Sequence, residues 1–333
     1  MYILAFETSC DDTSVAVMKD DICIALSTRT QLEHSTTGGV VPEVAARSHA
    51  NAIFPCIEDA LRDANIELDD IDLIACTEKP WLLPSLLTGM TVASTLALSM
   101  KKPIYWIDHI ESHIFANYLD RSESDIVFPA VVLTVSGWHT EIYHWKSMFE
   151  LFLIGQTRDD AAGEAFDKVS KMMWLWFPGG AIVSKYAKNY YENLQGNWNK
   201  ISRKRLFPEV LLEKESLDFS FSGIKTAVKR DIDMRIKNSS SLSEEDRGEI
   251  AYEFEEVVTT ILAKKLLRAL EQTDAKMMLL AGWVSANSKL REKLEWFGRE
   301  QEIPFLSPKK IIYSMDNAAM IGIRAYFGHK YSK

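Results

Sequence analysis

The 333-residue sequence predicts an α/β protein built of two similar lobes facing a central cleft. Three observations carry that expectation. The chain is too long for one ordinary core and fits about two domains. It opens on three short apolar runs, which give way to alternating helical and extended patterns. The same succession then starts again near residue 129.

In the first copy, residues 2–7 are apolar, 8–13 form a polar, acidic turn, and 14–18 (Ser-Val-Ala-Val-Met) read as a second strand. Two short β runs around a polar turn predict a hairpin. Residues 22–29 read as a third strand. A helix is expected at 41–64, where Pro42 suits the first turn and Glu43 and Arg47 are spaced i,i+4. A strand at 72–76, a helix at 84–100 and a strand at 103–107 complete a βββαβαβ unit. The second copy has strands at 129–136, 140–146 and 150–155, then a helix over 161–174. A long helix at 244–272, a strand at 276–281, a helix at 286–300 and a last helix at 316–328 follow. Segment 177–243 reads as irregular and polar, with Ser239-Ser240-Ser241 as a loop. Two βββαβαβ units predict two ribonuclease-H-like lobes. The first is expected to cover 1–108, completed by the C-terminal helix 317–333. The second covers 109–316, with a partly helical insertion near 177–243.

Composition narrows the class. Hydrophobic residues make up 47% and charged residues 26%, a globular balance. The net charge of −9 argues against a general nucleic-acid binder, although a local basic patch or a basic partner remains compatible with it. There is no run of about 18 apolar residues, so no membrane span is expected. Met1 to Glu7 lacks the basic start of a secretion signal and reads as a strand. Cys10, Cys23, Cys56 and Cys76 form no CxxC pair, which excludes a zinc knuckle or redox motif and fits the reducing cytoplasm.

Four groups of residues could carry chemistry. His109-Ile110-Glu111-Ser112-His113, if helical, puts two imidazoles on one face at i,i+4, where they can share a metal. Its central acid is out of place for a zinc-protease base. Asp316 is a candidate third ligand, with a plain helix N-cap as the ordinary alternative. Ser136-Gly137, Pro178-Gly179-Gly180 and Ala281-Gly282 are small-residue turns whose N–H groups can cradle phosphate, though most glycine turns only turn. Asp159 to Lys168 opens a helix with acids that offset its dipole, and Asp167 can reach a ribose hydroxyl. Glu7 and Asp11 flank the first turn. Asp11 reads equally as a solvated surface acid, whereas Glu7 interrupts an apolar strand.

With these residues in place the chain closely resembles the TsaD family over nearly its whole length, from Glu7-Thr8-Ser9-Cys10-Asp11 to Asp316-Asn317. The resemblance rests on Gly38-Gly39-Val40-Val41-Pro42-Glu43, the His109–His113 motif, Asp159 to Lys168, Asp218 to Thr226 and Val284-Ser285-Ala286-Asn287. It implies an actin/sugar-kinase fold and an enzyme that makes threonylcarbamoyladenosine next to the anticodon of tRNAs reading codons that start with A. It implies His109, His113 and Asp316 as ligands of one divalent metal, Fe2+ before Zn2+. It implies Thr134, Val135, Ser136, Gly137, Trp138, Asp167, Gly180 and Asn287 as holders of the adenylate, and Asp11 as an acid of the transfer step. The implied donor is threonylcarbamoyl-AMP from a separate synthase. The implied partners are tRNA, a smaller TsaB-like paralogue of the same fold and a TsaE-like P-loop ATPase. The apolar face of the helix at 41–64 is the expected paralogue contact, and no membrane is involved.

The departures from the family pattern are systematic. Trp81, Trp106, Trp138, Trp174, Trp176 and Trp283 stand where the family has glycine. The 15 glycines and nine tryptophans together are 24 of 333 residues, about the average share of glycine alone. Such a pattern is expected if UGA codons that the source organism reads as glycine are written as tryptophan. The alternative is a catalytically impaired paralogue that acts as a scaffold or dimerisation subunit.

Overall fold

The computed structural model describes residues 1–31, 40–176, 178–194, 206–209, 213 and 215–332. The chain divides into two compact units, Met1–Ile126 with Pro308–Lys333, and Val127–Ser307.

The first unit begins with β1 (Tyr2–Glu7), β2 (Asp12–Lys19) and β3 (Ile22–Thr30), then α1 (Pro42–Ala64), β4 (Leu73–Lys79), α2 (Leu83–Met100), β5 (Ile104–Asp108) and α3 (His109–Phe115). Its sheet has the order β3-β2-β1-β4-β5. The hairpin pairs β1 and β2 antiparallel, with Phe6 opposite Val15, and β1 runs parallel to β4, with Ala5 opposite Ala75. Leu4, Phe6, Val15 and Val17 turn to one face and pack with Ile53, Cys56 and Ala60 of α1 and Ala93 and Ala97 of α2. Both faces of β1 are covered, so Ile3 to Phe6 form an unbroken buried apolar run rather than an alternating one.

The second unit repeats the plan with β6 (Ala130–Val135), β7 (Thr140–Ser147), β8 (Glu150–Gln156), α4 (Ala162–Met172), α5 (Gly179–Leu194), α6 (Ser222–Ser239), α7 (Glu244–Gln272), β9 (Met277–Ala281), α8 (Ser288–Glu300) and β10 (Phe305–Leu306). The sheet order is β10-β9-β6-β7-β8. Val131, Leu133, Phe166, Val183, Phe254, Val258 and Leu280 belong to its main core. The chain then returns to the first unit as α9 (Ala318–Tyr331), which packs on β1 and β2. Gly322 makes that approach possible, because a Cβ there would stand 2.4 Å from the Met18 side chain.

The strands and most helices lie where the sequence predicts them. The segment 177–243, read as irregular and polar and as a partly helical insertion, holds two helices, α5 and α6, among its described residues. Ile224, Val228 and Ile232 of α6 are buried at four-residue intervals, a helical stripe set among charged residues. Gly38 and Gly39 lie outside the described residues. The boundary between units falls after residue 126 rather than 108, since α3 packs on α9 and stays with the first unit. Contrary to the sequence expectation, α2 is long and apolar enough to cross a membrane by length and composition. It packs against β4 and α1, burying Leu86, Gly89, Ala93 and Ala97, and exposes Leu83, Leu87 and Leu98.

Candidate functional site

In the first unit β5 leads directly into α3. Asp108 caps the helix, its carboxylate accepting from the N–H groups of Ile110 and Glu111 at 2.8 and 3.1 Å. The cap fixes the helical phase, and the i,i+4 spacing puts His109 and His113 on one buried face. Asp316 comes from the far end of the chain. It follows a short helical turn at Ile311–Ser314 and precedes Asn317, which caps α9 by accepting from Met320 N–H at 3.1 Å. The ordinary N-cap role therefore belongs to Asn317, and Asp316 is left to face the histidines.

Three ligand atoms meet there. His113 Nε2 lies 3.2 Å from His109 Nε2 and 3.1 Å from Asp316 Oδ1, and His109 Nε2 lies 3.5 Å from the same oxygen. Tetrahedral coordination at ~2.0–2.1 Å spaces its ligand atoms about 3.3 Å apart. The trio therefore fits one face of a metal tetrahedron and leaves a fourth position for water or substrate. Two histidines and a carboxylate suit iron or zinc.

Glu7, at the end of β1, is fully buried behind His109. Its Oε2 faces His109 Nδ1 at 3.0 Å and accepts from Thr77 Oγ at 2.6 Å, while Oε1 accepts from Ser9 N–H at 2.5 Å. Burial alone would raise Glu7, but the adjacent His109 charge and hydrogen bond hold it below the usual carboxylate range. Burial disfavours the His109 imidazolium, yet Glu7 and Asp316 outweigh that and hold it up to about 9. Burial keeps His113 below its ordinary value. In the metal-free protein one imidazole thus keeps a proton that a cation would displace.

Asp11 lies in the turn between β1 and β2, half-buried, and its carbonyl accepts from Gln31 N–H at 3.0 Å. Its neighbour Asp12 is buried, takes a 2.5 Å hydrogen bond from Thr30 and is pushed up to about 7, chiefly by burial. Burial also pushes the Cys10 thiol far up, which leaves it a poor nucleophile.

The second unit holds a cavity of about 210 Å³ lined by Asp167, Gly180, Asn287, Phe166, Ser184 and Trp283, among others. The structure thus brings together three of the residues that the resemblance marks for the adenylate. Asp167 accepts from Gly179 N–H at 2.7 Å, which ties the start of α5 to α4. Asn287 caps α8 by accepting from Leu290 N–H at 2.9 Å, and its amide donates to Ser184 and Glu255 at 3.0 and 2.7 Å. The other five, Thr134 to Trp138, end β6 and form the turn into β7. This turn is packed closely: a Cβ on Gly163 would stand 2.5 Å from Ser136 O, and one on Gly282 would stand 2.6 Å from Val135 O. Gly282 also has φ +80°, a conformation open mainly to glycine.

Two of the tryptophans occupy sites of the same kind. Trp174 has φ +57° and Trp81 has φ +127°. Leu175 N–H bonds to Ser170 O at 3.0 Å and Trp174 N–H to Lys171 O at 3.1 Å, so α4 ends in a Schellman motif. Trp174 stands at the left-handed position of that motif, where glycine is the usual residue. Trp138, Trp174 and Trp176 are largely exposed, Trp106 lies partly exposed in β5, and Trp283 lines the cavity. Trp81 meets the His109 ring edge-on at a centroid distance of 6.0 Å.

Comparison with known proteins converges on one family. The family model for TsaD, tRNA N6-adenosine threonylcarbamoyltransferase, matches residues 23–323. A tRNA N6-adenosine threonylcarbamoyltransferase of Syntrophus aciditrophicus is 41% identical over 97% of this chain and 91% of its own length. One from Staphylococcus haemolyticus is 41% identical over 98% and 90%. Among solved structures, component A of the (R)-2-hydroxyglutaryl-CoA dehydratase of Acidaminococcus fermentans superposes with a TM-score of 0.52, covering 99% of both chains at 13% identity. That likeness concerns the fold alone.

Proposed function

The chain belongs to the TsaD family, and on that premise we infer that it is a tRNA N6-adenosine threonylcarbamoyltransferase. The observation that carries this is the 41% identity with such transferases over 97% of the chain, together with a His109–His113–Asp316 trio whose spacing suits one metal ion. Nothing favours the alternative scaffold reading.

We propose threonylcarbamoyl-AMP as the donor. Asp167, Gly180, Asn287 and the turn from Thr134 to Trp138 hold its adenylate, with Asp167 toward the ribose and the small-residue turns toward the phosphate. His109, His113 and Asp316 hold a divalent cation, Fe2+ or Zn2+, which supplies Lewis-acid polarisation of an oxygen ligand. In the transfer, the exocyclic N6 of the target adenine attacks the carbamoyl carbonyl carbon. The new N–C bond forms as the bond from that carbon to the phosphate oxygen breaks, and AMP leaves. Asp11 accepts the proton released from N6.

The remaining proposals concern context. The protein works in the cytoplasm on tRNAs that read codons starting with A. It acts with a smaller paralogue of its own fold and with a P-loop ATPase. The net charge of −9 favours such partners, because gripping tRNA phosphates requires cations. The paralogue docks on the exposed apolar residues of α1 and α2: Val44, Phe54, Leu83, Leu87 and Leu98.

The test is reconstitution. Metal-loaded protein, both partners, threonylcarbamoyl-AMP and tRNA are combined, and the nucleosides are analysed by mass spectrometry. Threonylcarbamoyladenosine should accumulate with one AMP released per modification. A complete mixture that yields none overturns the reading.

A further inference from the structure

Glu7 is an acid at the end of a strand whose other core residues are Ile3, Leu4, Ala5 and Phe6, all fully buried. A carboxylate in such a place is costly unless its oxygens are satisfied. Among the described residues its oxygens meet Ser9, through the backbone N–H, the Thr77 hydroxyl and one imidazole nitrogen. Thr77 donates to Oε2 and Ser9 N–H donates to Oε1, so the carboxylate faces His109 as an acceptor. His109 Nδ1, which also has the Ser9 hydroxyl at 3.3 Å, then carries the hydrogen that Glu7 accepts, and Nε2 faces His113 and Asp316, where a cation would take the place of any proton. The second histidine differs: His113 Nδ1 is buried with no hydrogen-bond partner among the described residues.

We infer that Glu7 is a positioning residue of the metal centre, which locks His109 in the Nδ1–H tautomer and aims Nε2 at the cation. This rests on the metal assignment of the proposed function. A carboxylate behind a histidine ligand also raises the ligand's basicity, and loss of such a partner weakens metal binding 10–100-fold as a rule. Glu7→Gln keeps the shape but brings an NH2 group into a pocket whose three partners all donate. If the amide turns its NH2 toward Ser9 N–H, one donor faces another. If the amide turns its NH2 toward His109, it favours the tautomer that puts a hydrogen on Nε2, where the cation must bind.

The experiment measures binding of Zn2+ alone to the full chain by competition with a chromophoric chelator. It compares wild type, Glu7→Gln and Thr77→Val. Thr77→Val removes a donor from the same carboxylate without touching the histidine. The expected result is a 10–100-fold loss for Glu7→Gln and a change below about threefold for Thr77→Val. The Co2+-loaded forms should also differ in their visible spectra. Equal losses in the two variants would mean that the network only supports the fold, and unchanged binding in Glu7→Gln would also overturn the inference. Should Glu7→Gln not fold, the wild type still decides the matter. With 15N-labelled histidine and bound Cd2+, His109 should show metal coupling at Nε2 and a slowly exchanging hydrogen at Nδ1. Coupling at Nδ1 would refute the assignment. Failure to bind Zn2+ in the wild type would strike at the metal centre itself, a different failure.

Discussion

Replacing Trp174 by glycine should stabilise the protein, although it deletes the largest side chain in the sequence alphabet. The residue sits at the left-handed position of the Schellman motif that ends α4, with φ +57°. An L side chain in that conformation costs roughly 1–2 kcal/mol. Glycine removes the strain but brings an extra unfolded-state entropy of roughly 0.5–1 kcal/mol. The indole is 63% exposed, so little apolar burial is lost. The balance is a gain of up to about 1.5 kcal/mol, a rise of up to about 6 °C in melting temperature for a unit of this size. Scanning calorimetry on Trp174→Gly, Trp174→Ala and Trp176→Gly measures it. Alanine keeps the left-handed strain and should not gain. Trp176 is 80% exposed and has no positive φ, so glycine there should be neutral or slightly destabilising. If Trp174→Gly melts no higher than Trp174→Ala, the backbone at this turn is not built for glycine and the reasoning fails.

In protein purified from its native source, peptides spanning positions 81, 138 and 283 should show glycine masses by mass spectrometry; tryptophan masses would mean that the proposed adenylate site is truly altered. Asp316→Asn and His113→Ala should each lose bound metal by elemental analysis after dialysis, and a variant that keeps full stoichiometry would remove that residue from the ligand set. Leu87→Asp with Leu98→Asp should abolish co-purification with the smaller paralogue while leaving the melting temperature of the isolated chain nearly unchanged, since both side chains are exposed. In the metal-free protein, Asp12 contributes a pH dependence whose sign is fixed by its raised value. The folded state binds this proton more tightly than the unfolded state, so the contribution is complete below about pH 4 and is lost as pH rises through about 7. Asp12→Asn should therefore be more stable than wild type at pH 8, by about 1–4 kcal/mol, and the gap should close by pH 4. A gap that does not change with pH in chemical denaturation would contradict a buried carboxyl that burial raises more than its Thr30 hydrogen bond lowers.

The strands were legible because their burial differs in kind. The β1–β2 hairpin announces itself through two apolar runs around a polar turn, and β9 through five consecutive buried residues, Met277 to Ala281. The helices α5 and α6 were harder for a physical reason. Charged and polar side chains crowd both segments, and two glycines open α5. Yet the buried stripe Ile224, Val228, Ile232 was present in the sequence and has the helical period. It was obscured because only one residue in three is apolar there, enough to seat the helix on a core that α7 and β6 already supply.

The metal trio divides the same way. The i,i+4 spacing of His109 and His113 needs only a helix to bring two nitrogens together, so sequence suffices for it. Asp316 lies 203 residues beyond His113, and no local pattern links them. Its proximity follows from α9 crossing back onto β1 and β2. Glu7 carries a signal of its own: an acid in a strand with no exposed face. Burial forces such a group to have partners, but sequence cannot say which. The fold supplies the answer through register. β1 runs beside β4, so the end of one strand meets Thr77 of the other, and β5 on the far side of β4 leads straight into His109. A single three-strand register therefore fixes both the carboxylate and the imidazole it holds. A shift of one residue in β1 would turn Glu7 to the opposite face of the sheet and leave His109 without its acceptor. The register of the first unit's sheet and the geometry of its proposed metal centre are in this sense one constraint.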